Sequence, residues 1–237
     1  MRIKRTEKNF CCSDNHGSDW NLSNDFRKVL WLMKYTHIVF DVDGTLLDSE
    51  DAVLLSFQKM LFTIQGKMYP LEELRFSLGI PGHDTLARMK VEPLEEAFRI
   101  WGEYELEFSY SIKPFKEIPS TLLQLKKNGI QMGIITSRTR EEYATVVSSF
   151  GLDHYFEHIL CAEDSSGHKP DPAPMLRYME LSGASKENVL YIGDSAYDCR
   201  CAHGAGVDFA LALWGCRAPE GISPEYAMEK PEDVLSL

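Results

Sequence analysis

Short apolar runs that end abruptly in polar residues set the strongest constraint on how this chain folds. His37-Ile38-Val39-Phe40 is β-branched and aromatic and stops at Asp41, which reads as a buried strand delivering polar residues at its C-terminal end. Three further runs, 131–136, 189–193 and 207–213, are largely apolar and are closed by Gly, Ser, Thr, Asp or Trp-Gly. Helical patterns lie between them, over 120–127 stopped by Gly129, 141–150 stopped by Gly151 and 172–181 stopped by Gly183. This alternation predicts an α/β fold with a doubly wound parallel sheet. Ligands of such sheets bind outside the carboxyl ends of the strands, which is where the polar clusters fall.

Residues 49–113 break the alternation with helical spacing alone. Val53, Leu54, Phe57, Met60, Leu61 and Ile64 make one apolar stripe, and Leu94, Ala97, Phe98 and Trp101 make a second. The segment reads as a small α-helical cap inserted into a core formed by 33–48 and 114–237. A chain of 237 residues has room for such a core and a smaller module. Residues 1–32 mix Lys, Asn, Ser, Asp and Gly without a hydrophobic period, and are expected to form a loosely ordered extension. The apolar run 29–33 is too short for the core of a secretory signal.

A formal net charge of −11 argues against nucleic acid or an acidic membrane surface as partner, since both demand a concentrated basic face. No apolar run is long enough to span a membrane. Six cysteines, Cys11, Cys12, Cys161, Cys199, Cys201 and Cys216, lack zinc-site spacing and read as reduced thiols of a cytoplasmic protein. Oligomeric state leaves no mark in the sequence.

The chemistry-bearing residues cluster at the strand ends. Asp41-Val42-Asp43-Gly44-Thr45 sets two carboxylates two residues apart, with Gly44 allowing a sharp turn. Such a pair can act as a nucleophile and a proton donor toward a phosphate ester, or be a turn with solvated acids. In Gly193-Asp194-Ser195-Ala196-Tyr197-Asp198, Asp194 suits metal ligation, while Asp198 suits metal ligation or, as a rival, a helix cap or support of the ligands. Acids gathered this way repel one another and a phosphate, so cations are needed, and magnesium matches hard oxygen ligands. Lys169, in His168-Lys169-Pro170-Asp171-Pro172, is either a fixed cation or solvated surface. Thr136-Ser137 offers hydroxyls and backbone N–H groups at a helix entry, as an anion site or as caps. The loop from Leu78 to His83, bounded by Gly and Pro, can reach a pocket from the cap, with His83 as a substrate contact or an ordinary exposed histidine.

Taken together, DxDGT, a strand closed by Thr-Ser, Lys-Pro and GDSxxD in this order resemble the haloacid dehalogenase-like superfamily, whose core is Rossmann-like. Asp41 to Ser49 followed by a helical insert, and the tail Leu213-Trp214-Gly215, are similar to its phosphoglycolate-phosphatase-like branch. The resemblance implies a Mg2+-dependent phosphatase of a small phosphorylated metabolite. Asp41 would be the nucleophile, Asp43 the general acid and base with its backbone carbonyl on the metal, and Asp194 the second carboxylate ligand. Thr136, Ser137 and Lys169 would hold the phosphoryl oxygens, with Asp198 orienting a metal-bound water or Lys169. The cap would hinge near 47–49 and 112–114.

Dehalogenases of this fold lack the acid two residues after the nucleophile, and Asp43 is present. The mutases of the branch resemble one another in a His and Trp after the first motif, whereas this chain reads Glu50-Asp51-Ala52-Val53-Leu54-Leu55. A mutase, a pyrophosphatase or a nucleotidase remain the neighbouring readings. A non-catalytic phosphate-binding or interaction module is the reading from outside the class.

Overall fold

The computed structural model describes residues 34–237, so the expectation for 1–32, with Cys11 and Cys12, lies outside the described residues. After β1 (His37–Phe40), the chain makes β2 (Leu47–Asp48) and enters the helices α1 (Glu50–Gln65), α2 (Leu71–Leu74), α3 (Gly82–Arg88) and α4 (Leu94–Phe108). It returns through β3 (Lys113–Pro114) and α5 (Ile118–Lys127) to β4 (Gln131–Ile135), then α6 (Arg140–Glu142) and β5 (His158–Leu160). The remaining elements are α7 (Ala173–Ser182), β6 (Val189–Gly193), α8 (Ala196–Ala205), β7 (Asp208–Ala212) and β8 (Tyr226–Met228).

Six strands form one sheet in the order β5-β4-β1-β6-β7-β8, parallel at every pairing. All residues of β1 and β6 are buried, as expected of strands covered on both faces. Side chains alternate between two apolar layers. Ile38, Phe40, Leu190 and Ile192 join the layer of α5 residues Leu122 and Leu125. Val39, Val189 and Tyr191 join Met175 and Tyr178 of α7 and Ala202 of α8. Helices on both faces make the sheet doubly wound.

The inserted helices have an apolar cluster of their own, built on Leu54, Phe57, Met60 and Leu61 of α1 and on Ala97 and Trp101 of α4. Phe57 and Trp101 stack with ring centres 4.5 Å apart. The two chain crossings between core and cap lie side by side, because β2 and β3 pair antiparallel, Leu47 opposite Pro114 and Asp48 opposite Lys113.

Two differences from the sequence reading stand out. The edge strands β5 and β8 have three residues each, too few to show a period of two. The expected helix over 141–150 is one α-helical turn followed by a wider π-type turn, Tyr143–Val147, and a 3-10 turn, Ser148–Phe150. The β-branched run Thr145-Val146-Val147 is a poor α-helix former. The described cysteines, Cys161, Cys199, Cys201 and Cys216, carry free thiols. No described helix is long and apolar enough to cross a membrane.

Candidate active site

The chain runs from β1 out to β4 on one side and from β6 out to β7 on the other, so the crevice of the sheet opens between β1 and β6. Asp41 follows β1 and Asp194 follows β6. The Asp41 backbone N–H donates to the Ile192 carbonyl at 2.9 Å, which fixes both strand ends in register. Gly44 has φ +76°, and a Cβ there would lie 2.3 Å from Asp194 Oδ2, so glycine alone permits both the turn and the approach. The tail packs on the same turn, with Trp214 Nε1 donating to the Thr45 carbonyl at 2.9 Å.

Carboxylate oxygens of Asp41, Asp194 and Asp198 all lie within 4.8 Å of one another. Lys169 Nζ donates to Asp41 Oδ1 and to Asp198 Oδ1, each at 2.7 Å. Asp198 is fully occupied. Its Oδ1 also accepts from the Tyr191 hydroxyl at 2.9 Å, and its Oδ2 accepts from the Ser195 N–H and hydroxyl at the start of α8. It therefore caps the helix and holds Lys169 at once. Asp194 Oδ1, by contrast, is buried with no partner among the described residues.

Burial pushes Asp41 up to about 7 against the pull of Lys169, with the charges of Asp198 and Asp43 adding to the rise. Burial, then Asp198 and Asp41, lifts Asp194 well above the carboxylate range. Burial opposes the Lys169 ammonium, but Asp198 and Asp41 outweigh it and hold the lysine above its usual range. One ammonium leaves this carboxylate cluster short of positive charge. The unpartnered Asp194 oxygen and the all-oxygen donor set fit a hard divalent cation such as magnesium.

Asp43 points elsewhere. Its carboxylate receives Arg138 Nε at 2.8 Å and Nη2 at 2.7 Å, and the Ser49 hydroxyl at 2.5 Å. Burial raises its pKa, yet the Arg138 pairing and the Ser49 bond outweigh burial and hold it below the ordinary value. Arg138 Nη2 also lies 2.7 Å from Glu105 Oε1 on α4. That contact is at ion-pair distance but off the hydrogen-bonding direction, since Glu105 Oε1 has no hydrogen-bond partner among the described residues.

A cavity of about 390 Å³ lies between core and cap and opens onto Asp43, Ser137, Arg138 and Asp194. Asp41 and Lys169, 3% and 4% exposed, are not part of its wall.

A family model described as haloacid dehalogenase-like hydrolase matches residues 38–212. The chain belongs to this family. It is a hydrolase, and thus an enzyme. Pyrophosphatase PpaX of Bacillus cereus is 26% identical over 209 residues, covering 86% of this chain and 97% of that protein. A Caldanaerobacter subterraneus subsp. tengcongensis protein provisionally named pyrophosphatase PpaX is 30% identical over 209 residues, covering 86% and 95%. The crystal structure of a Lactobacillus plantarum protein, provisionally named a phosphoglycolate phosphatase, superposes with a TM-score of 0.78 at 26% identity, covering 86% of this chain and 99% of that one.

In this hydrolase the structure brings Asp41, Asp194, Asp198 and Lys169 together and puts Asp43 beside them on its own partner. Thr136 is buried, its Oγ1 accepting the Arg138 N–H at 3.2 Å, so its hydroxyl proton is free to be donated. Ser137 lines the cavity, and its hydroxyl is 3.4 Å from the Gly79 carbonyl of the cap loop. That loop, with Leu78, Gly79 and Ile80, does form part of the cavity wall. His83 does not. It sits in the first turn of α3, stacked on Phe98 at 3.9 Å with Nε2 3.5 Å from Glu95.

Arg138 and Glu105 were not legible as site residues. An arginine after Thr136-Ser137 reads as surface. Glu105 did leave a signal, because Ala97, Trp101 and Glu105 follow at four-residue spacing on one helix face, and all are buried. A carboxylate continuing an apolar stripe needs a partner.

Proposed function

We propose that this hydrolase is a magnesium-dependent phosphatase that transfers the phosphoryl group of a small monoester to Asp41 and then to water. The observation that carries the reading is Lys169, buried between Asp41 and Asp198 at 2.7 Å from each, beside the unpartnered Asp194 oxygen. Asp41 and Asp194, with the Asp43 backbone carbonyl, would hold magnesium, which supplies a Lewis acid offsetting the charge where carboxylate meets phosphate.

An Asp41 carboxylate oxygen attacks phosphorus, the ester P–O bond breaks, and a proton from Asp43 goes to the departing oxygen. Asp43, now a carboxylate, takes a proton from the water that attacks the aspartyl-phosphate, releasing phosphate and restoring Asp41. Thr136, Ser137 and Lys169 hold the phosphoryl oxygens, and Asp198 keeps Lys169 in line. Asp43 as found is a carboxylate occupied by Arg138, so this ion pair loosens before Asp43 carries the proton. The division into core (33–48 and 114–237) and cap (49–113) belongs to the same reading, the core handling the phosphoryl group and the cap the alcohol. A second reading, hydrolysis of a phosphoanhydride, rests on the names of the PpaX relatives.

The test is hydrolysis of 4-nitrophenyl phosphate by the full chain. Activity is expected with magnesium, is lost in chelator and returns on metal addition, and Asp41→Asn loses on the order of 10⁴-fold or more. Full activity in chelator, or an active Asp41→Asn protein, would overturn the reading.

A further inference from the structure

The wall of the cavity carries five aromatic side chains, Phe76, Phe98, Trp101, Phe115 and Tyr197. Two of them are braced from behind. Phe98 stacks on His83 and Trp101 on Phe57, so one face of each ring is held in place by the cap while both residues line the cavity. The bare Cα of Gly82 makes room for this, since a Cβ there would lie 2.6 Å from Phe98 Cε2.

Charge on the wall runs against a second anion. Arg75, Arg138 and Arg217 reach the cavity together with six carboxylates, and each of the three arginines is already matched. Arg138 is shared between Asp43 and Glu105, with side-chain exposures of 7% for the arginine and 9% for Glu105. Arg75 and Arg217 both pair with Glu50, Arg217 at 2.5 Å, and Arg75 also pairs with Glu72 at 2.9 Å. A carboxylate or second phosphoryl group on the substrate would meet no unmatched cation among the wall residues. At about 390 Å³ the cavity is in the range of pockets that enclose a small organic ligand and is roomy for a two-carbon acid.

From this wall we infer that the substrate is a phosphate monoester of an aromatic alcohol that carries no negative charge of its own, its ring packed against Phe98 and Trp101 of the cap. The inference rests on the phosphatase reading above and adds the class of leaving group. Pyrophosphate and 2-phosphoglycolate, each with a second anionic group, are then poor substrates of this protein.

The experiment compares kcat/KM of the full chain, with magnesium, on benzyl phosphate, ethyl phosphate, 2-phosphoglycolate and pyrophosphate, with 4-nitrophenyl phosphate as reference. Benzyl phosphate is expected to exceed ethyl phosphate about tenfold or more, and the two compounds with a second anionic group by on the order of a hundredfold. Phe98→Ala is expected to bring the benzyl-to-ethyl ratio down toward one. Turnover of the reference with no benzyl preference, or with 2-phosphoglycolate or pyrophosphate as the better substrate, overturns the inference and leaves the phosphatase reading standing. No magnesium-dependent turnover of any ester overturns both.

Discussion

Two buried clusters in this protein share one form, a cation held between two carboxylates, and differ in what they join. Lys169 lies between Asp41 and Asp198, all three on the core. Arg138 lies between Asp43 on the core and Glu105 on the cap helix α4. The first is fixed by strand ends and a helix cap, and its charges stay where the sheet puts them. The second exists only while the cap rests against the core as it does here. A frame of fixed charge can be built from one body, whereas an arrangement that ties the proposed acid to the cap needs two.

Asp43→Asn removes the proposed proton donor and leaves the Lys169 cluster intact. Turnover should fall by about 10²- to 10⁴-fold, more for alkyl than for aryl esters, whose leaving oxygens need less protonation. Equal losses in kcat/KM on both ester types, with no burst of released phenol from the aryl ester, would place the acid elsewhere.

Arg138→Ala leaves Glu105 buried and Asp43 half-buried without their cation. Loss of one partner from a buried pair costs about 3–5 kcal/mol, which urea unfolding would measure. A loss below about 1 kcal/mol would mean that water reaches this cluster and that it is no counterpart of the other.

The Lys169 cluster should show itself in pH. Asp41 sits at about 7 in the folded protein against about 3.9 when unfolded, and Asp194 is raised in the same direction. Over that interval the folded state keeps a proton that the unfolded state has lost, so stability falls as pH rises from about 4 to about 7. Thermal unfolding in chelator should therefore drop between pH 5 and pH 8, and magnesium should recover more at pH 8 than at pH 5. Equal metal-induced shifts at both values would show that carboxylate crowding is not what the metal relieves.

The smallest effect belongs to the outer seam. Glu50 joins Arg75 and Arg217 where the arginines are 37% and 60% exposed, and exposed pairs contribute about 1 kcal/mol at most. Glu50→Gln should change unfolding free energy by no more than that. A larger loss would make this seam, and not Arg138, the main tie between cap and core.

Local sequence patterns specify the sheet's central strands, the helical insert and the places where Asp41, Asp43, Thr136, Lys169, Asp194 and Asp198 leave the core elements. These are local matters of apolar period, glycine turns and the residue following a strand, all written in neighbouring positions. Tertiary structure alone decided which charges meet. Asp43 finds Arg138 at a separation of 95 residues, and Arg138 finds Glu105 only because cap and core lie together. It also turned His83 onto Phe98, although its loop does line the cavity, and it set the three-residue edge strands in place. The physical reason is the same in each case. Backbone geometry follows from short-range sterics and burial, while a buried charge takes whichever partner the packed fold brings within reach.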